Sequence, residues 1–144
     1  MLKYLSIIGY LMLIFVLMIL VTQGSIIGRG VIAITVQIVS VLLMIWARVT
    51  FGMRSFHATA EPTEGELVTT GPYRFLRHPI YASIFYFISA GTLSHISALN
   101  MILEAIAIAG ILVRIIIEEN FLIKRYPEYI KYSSRTKRIM PFIY

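Results

Sequence analysis

From Leu5 to Val21 the chain carries no charged side chain, and a helix over that stretch, rising about 1.5 Å per residue, nearly crosses a hydrocarbon core about 30 Å thick. The run reads as a first membrane span. Lys3 ahead of it also suits the charged start of a secretory signal, but Thr22-Gln23-Gly24-Ser25 offers no clear small-x-small cleavage site, so the retained span is the stronger reading. A glycine-rich turn (Gly24, Gly28, Gly30) leads to a second span, Val31 to Trp46, with Trp46 and Arg48 suited to the interface and Gln37 placed as a helix-contact polar group. Ile80 to Leu93 forms a third, short unless it borrows Ser94-His95-Ile96, and Leu99 to Ile117 forms a fourth, interrupted by Asn100, Glu104 and Arg114. The brief uncharged connection between the last two makes them an antiparallel helical hairpin.

The polar stretch from Gly52 to Arg77, with Glu61, Pro62, Glu64, Gly65, Glu66, Thr69, Thr70 and Gly71, cannot lie in lipid. It separates an N-terminal transmembrane hairpin, residues 1–51, from a second unit of loop, hairpin and C-terminal segment, residues 52–144. The expected fold is all-α and integral to the membrane, with four transmembrane helices. Composition agrees, since 58% hydrophobic and 14% charged residues among 144 are too apolar for a soluble domain. The lack of cysteine excludes a disulfide framework, a thiolate nucleophile and a cysteine-ligated metal. The net charge of +6 points to topology-setting loops that meet anionic lipid head groups, not to nucleic acid. Of the 13 Lys and Arg residues, all fall on one side of a four-span arrangement except Arg29, which falls opposite, and Arg114 within span four. The positive-inside rule then puts both termini and the middle loop in the cytoplasm.

Two clusters carry the chemistry. In Gly71-Pro72-Tyr73-Arg74-Phe75-Leu76-Arg77-His78-Pro79-Ile80-Tyr81-Ala82-Ser83, Pro79 suits a helix's first turn, where its missing N–H would be unpaired anyway. Free N–H groups at that helix start, with Arg77 and His78, suit an anionic group such as an amino-acid carboxylate. The plainer reading makes Arg74 and Arg77 interfacial anchors, and Tyr73 and Tyr81 members of an aromatic belt. The second cluster, Arg114-Ile115-Ile116-Ile117-Glu118-Glu119, closes span four. Adjacent carboxylates on a helix point about 100° apart, so one can face a cavity while the other faces water or a basic neighbour. Arg114 and Glu118 are spaced to pair along one face. Acids near a helix C-terminus also oppose its dipole. Because the two spans are antiparallel, both clusters meet at one membrane face. Glu104 lies towards the other, where a structural role ranks above transport. His95 is expected in the outer turn, and Tyr126 to Tyr132 as an interfacial amphipathic segment.

On these residues the sequence resembles the isoprenylcysteine carboxyl methyltransferases and their phospholipid N-methyltransferase relatives, from about Leu67 to Ile143. The resemblance rests on Gly71-Pro72-Tyr73-Arg74, Arg77-His78-Pro79 with Tyr81, Glu118-Glu119 before Leu122, Tyr126-Pro127-Glu128-Tyr129 with Tyr132, and Arg138-Ile139-Met140-Pro141. It implies that residues 52–144 are a methyltransferase core with a cytoplasmic pocket for S-adenosylmethionine. His78, Tyr81 and one of Glu118 or Glu119 would hold the amino-acid end of that cofactor, with Leu67, Val68 and Tyr73 near its nucleoside. Arg77 and Arg138 would orient the acceptor or close the pocket. Ser83 stands where the family often has Gly. The implied acceptor is lipophilic, a prenylcysteine-type carboxylate that needs no base or a phospholipid amine whose proton a Glu, such as Glu119, or a Tyr takes. No metal-ligand spacing is present. Two alternatives are an NADPH-dependent membrane sterol or enone reductase, which shares an Arg-His-Pro and Glu pattern, and a small transporter or lipid-binding scaffold using Glu104.

Overall fold

Apolar runs bounded by Gly and Pro become helices wherever the backbone must satisfy itself. A computed structural model describes residues 2–52 and 65–141. The elements are α1 (Leu2–Thr22), α2 (Gly30–Phe51), a 3-10 turn (Gly71–Arg74), α3 (Pro79–Ser94), α4 (Ala98–Arg125) and α5 (Tyr129–Ser133). Residues 53–64, with Arg54, Glu61, Pro62 and Glu64 of the middle loop, and 142–144, with Ile143, lie outside the described residues.

The structure is an all-α membrane fold. By length and composition α1, α2 and α4 can each cross a membrane. The 16 residues of α3 rise only about 24 Å at about 1.5 Å each. Pro79 opens α3 in its first turn, as its chemistry requires. The fourth helix does not stop at Ile117 but runs on to Arg125, so Glu118 and Glu119 sit nearly two turns inside it, at about 3.6 residues per turn. The expected conflict with a helix C-terminus therefore does not arise. Lys124 and Arg125 occupy the last turn instead, where cations are favoured.

Helix α1 packs along α4, α2 along α3, and α3 along α4, so the N-terminal helices flank the C-terminal pair. Glycine sets the α1–α4 approach: a Cβ on Gly9 would stand 2.9 Å from the Gly110 carbonyl oxygen, and one on Gly110 would stand 3.0 Å from that of Gly9. Small residues that let backbones meet are a general device of membrane helix pairs. Leu13, Val16 and Leu20 of α1 and Leu103, Ala107, Ile111 and Ile115 of α4 form the buried core. Outward faces remain apolar, as at Ile32 and Leu42, which suits lipid as solvent.

Polar groups in the apolar layer are paired across helices. Gln37 accepts from Gly28 N (2.9 Å) and donates to the carbonyls of Ile26 (2.7 Å) and Phe87 (3.1 Å), binding the first turn to α3. Glu104 accepts from the hydroxyls of Ser89 and Thr92, a structural role within the α3–α4 pair. His95 Nε2 lies 2.9 Å from the Ile27 carbonyl oxygen, and Arg29 N donates to Ser94 Oγ at 2.9 Å. The two short connections thus meet at one end of the bundle.

At the opposite end the tail returns beside the entrance to α3. Arg77 N donates to Lys137 O (2.6 Å), Lys137 N to Phe75 O (3.1 Å) and His78 N to Arg138 O (3.0 Å). Tyr132 Oη donates to the Tyr73 carbonyl at 2.7 Å, and Tyr126 Oη to that of Gly65 at 2.7 Å. These bonds position the site.

Candidate active site

A carboxylate placed among cations inside a low-dielectric fold must be held by all of them to be tolerated. Glu119, on α4, is such a group. Its Oε1 lies 2.8 Å from Arg77 Nε and 3.4 Å from His78 Nε2, while Oε2 accepts from Arg138 Nε (3.0 Å) and Nη2 (2.8 Å). Arg77 uses Nη1 to donate to the carbonyls of Ser133 (2.6 Å), the last residue of α5, and Thr136 (2.5 Å), just after it. One carboxylate therefore ties together α4, the entrance of α3 and the returning tail.

Glu118 points elsewhere, as the helical rotation demands. Its Oε2 is 3.9 Å from His78 Nδ1, and its side chain is 27% exposed against 11% for Glu119. His78, the N-cap residue of α3, stands between the two acids, with the Tyr81 ring centred 5.7 Å away. The Tyr81 hydroxyl accepts from Arg114 Nε at 3.1 Å and lies near Glu118. Arg114 thus braces Tyr81 beside Glu118. It is buried, stacks over Tyr10 (5.3 Å) as well as Tyr81 (5.6 Å), and donates Nη1 to the Ser6 carbonyl at 3.0 Å. Cation–π contacts of this kind gain strength when desolvated.

Tyr73 is buried in the 3-10 turn against Phe51, ring centroids 5.6 Å apart. Burial, reinforced by Glu118, holds its phenol above the usual range. Ser83 turns its hydroxyl to the Ile80 carbonyl (2.7 Å) and lies 3.6 Å from Met44 Sδ, so its extra atoms face α2. The structure accordingly gathers Arg77, His78, Tyr81, Glu118, Glu119 and Arg138, with Tyr73 close enough to sense Glu118. Leu67 and Val68 lie half-buried on the approach to the 3-10 turn; among the described residues no polar bond ties them to the cluster.

A further buried polar group, which the sequence offered only within the closing segment of the resemblance and not as a site residue, borders the cluster. Tyr129, at the start of α5, is 2% exposed, and its hydroxyl has no hydrogen-bond partner among the described residues. Burial raises its pKa, with Glu119 adding to the effect, so the phenol stays a neutral donor beside the acids. The three-residue spacing of Tyr126, Tyr129 and Tyr132 was the available signal, since it puts them near one helical face.

An acid–base cluster therefore lies at the end of an apolar helical hairpin, where α3 begins and α4 runs on past its apolar stretch. Residues 25–129 match the phospholipid methyltransferase family, and the chain belongs to that family of membrane methyltransferases. It is also similar to the nickel-cobalt-cadmium resistance protein NccN of Alcaligenes xylosoxydans xylosoxydans, 38% identical over 78 residues, which are 53% of this chain and 36% of the relative. The cobalt-zinc-cadmium resistance protein CzcN of Cupriavidus metallidurans is 34% identical over 77 residues, 52% of this chain and 35% of the relative. Each match spans only about a third of the relative's own length. No solved structure matches.

Proposed function

We propose that the chain transfers a methyl group from S-adenosylmethionine to a lipophilic acceptor, and that the cluster around His78, Tyr81 and Glu118 holds the cofactor's amino-acid end. The observation that carries this reading is the partly exposed Glu118 carboxylate beside the start of α3, with the Tyr129 hydroxyl, unpartnered among the described residues, close to it. An ammonium group suits Glu118. A carboxylate suits the N–H groups of Ile80 and Tyr81, which precede the first bond of the helix, Ala82 N to His78 O at 2.9 Å. Tyr129 offers a donor that nothing else described here uses. Leu67, Val68 and Tyr73 would border the nucleoside.

When bound, the cofactor supplies an electrophilic methyl group on a sulfonium, so alignment and exclusion of water carry much of the rate. The chain's own contribution is positional. Glu119 holds Arg77 and Arg138 as a clamp that closes the pocket. Arg114 fixes the Tyr81 hydroxyl, and Tyr81 steadies Glu118. An acceptor amine would lose its proton to Glu118; an acceptor carboxylate would need no base. The relatives are named for metal resistance, and a methyltransferase in that setting would alter a membrane component.

The acceptor enters sideways from the bilayer, since a buried acyl or prenyl chain gains about 0.8 kcal/mol per methylene. Incubating the purified protein with a membrane lipid extract and methyl-labelled cofactor should place label in the organic phase. Label confined to water-soluble products would overturn the lipophilic acceptor. The distribution of Lys and Arg further supports a cytoplasmic site and cytoplasmic termini. Reporter fusions at Gly28 and His95 should then both appear outside, and a cytoplasmic signal from either contradicts that orientation.

A further inference from the structure

A cleft of about 670 Å³ opens on the side of the molecule formed by α2, α3, the 3-10 turn and the tail, within the size range of ligand sites. None of the clustered residues lines it. Its walls are Val36, Val39, Leu43 and Trp46 of α2, and the cations Arg74, Arg135 and Lys137 also border it. From Thr35 to Trp46, both of which line it, the α2 axis advances about 16 Å at about 1.5 Å per residue. The cleft therefore runs along a membrane helix for much of one leaflet's depth.

The three cations sit at its Trp46 end. Arg74 belongs to the 3-10 turn, which packs on α2 where a Cβ on Gly71 would stand 2.6 Å from Thr50 Oγ1. Lys137 is backbone-paired with Phe75. Among the described residues no acidic side chain lines the cleft. Among the described residues none of the three cations has a carboxylate partner; the Arg74 guanidinium lies 6.0 Å over the Phe75 ring. A basic rim above an apolar channel complements an amphiphile with an anionic head, and a small soluble anion would leave the channel unfilled.

We propose that this cleft holds an anionic phospholipid of the surrounding bilayer, with its phosphate among Arg74, Arg135 and Lys137 and an acyl chain along Val39 and Leu43. The lipid is a bound companion and not the methyl acceptor, because it meets none of His78, Tyr81, Glu118 or Glu119. The inference rests on membrane insertion and not on methyl transfer, and its test uses no cofactor.

The chain has a single tryptophan, and Trp46 lines the cleft, so its fluorescence reports on the occupant. The protein is reconstituted in phosphatidylcholine vesicles containing either phosphatidylglycerol or phosphatidylcholine with brominated acyl chains, at equal mole fraction. Brominated phosphatidylglycerol should quench Trp46 more strongly. Replacing Arg74, Arg135 and Lys137 together with Gln should abolish that preference, since each surface cation is worth about fivefold in anionic-lipid binding, while quenching by brominated phosphatidylcholine stays. Val39→Phe, which narrows the channel and keeps the cations, should also reduce the preference. Soluble glycerol phosphate should not restore Trp46 emission. Equal quenching by the two lipids, a preference that survives the triple substitution, or reversal by glycerol phosphate overturns the proposal.

Discussion

Glu119→Gln is expected to cost about 3 kcal/mol of stability and to abolish methyl transfer at the same time. Removing one member of a buried ion network leaves the others desolvated and uncompensated, which costs about 3–5 kcal/mol when burial is complete. The lower end applies because Arg138 is 31% exposed, although Arg77 is only 12% exposed. Gln keeps the size and one acceptor oxygen but cannot satisfy two guanidinium groups and His78 together. The tail then loses its tie to α4, and with it the Arg77 bonds to Ser133 and Thr136. Thermal unfolding in detergent should show a clear downward shift. A Glu119→Gln protein as stable as the parent would sink the clamp.

Glu118→Gln should behave in the opposite way, leaving stability nearly unchanged and weakening the cofactor. Its carboxylate is the more exposed of the two, and its contacts to His78 Nδ1 at 3.9 Å and to Tyr81 are not a closed ion network. Losing a hydrogen bond to a charged ligand group costs about 1.5–3 kcal/mol, which is roughly tenfold or more in affinity at about 1.4 kcal/mol per decade. Calorimetric titration with S-adenosylmethionine reads this directly. If Glu118→Gln bound as tightly as the parent, the ammonium would have to be held elsewhere.

The contrast between the two acids marks the limit of what the sequence could show. Helical geometry says that neighbours diverge by about 100°, but which one meets Arg138 depends on where the tail returns, and that is fixed by backbone pairing at Phe75, Arg77 and His78. The apolar runs, the Pro79 entrance and the meeting of both clusters at one end were legible, because they follow from charge, length and proline chemistry. The extension of α4 to Arg125 was not, since hydrophobicity reports where lipid ends and a helix can continue past it. Nor was the pairing of α1 with α4, which depends on Gly9 and Gly110 finding each other across the bundle. Tyr129 was hidden for the same reason: its burial comes from tertiary packing, and its segment reads equally well as an interfacial helix.

The most direct test of the cofactor assignment is to titrate the purified, lipid-reconstituted protein with S-adenosylmethionine and, separately, with NADPH, following heat. S-adenosylmethionine should give a saturable isotherm that is weakened in both His78→Ala and Glu118→Gln, and NADPH should give none. Saturable binding of NADPH with no response to S-adenosylmethionine would contradict the assignment and turn the same cluster into a reductase site.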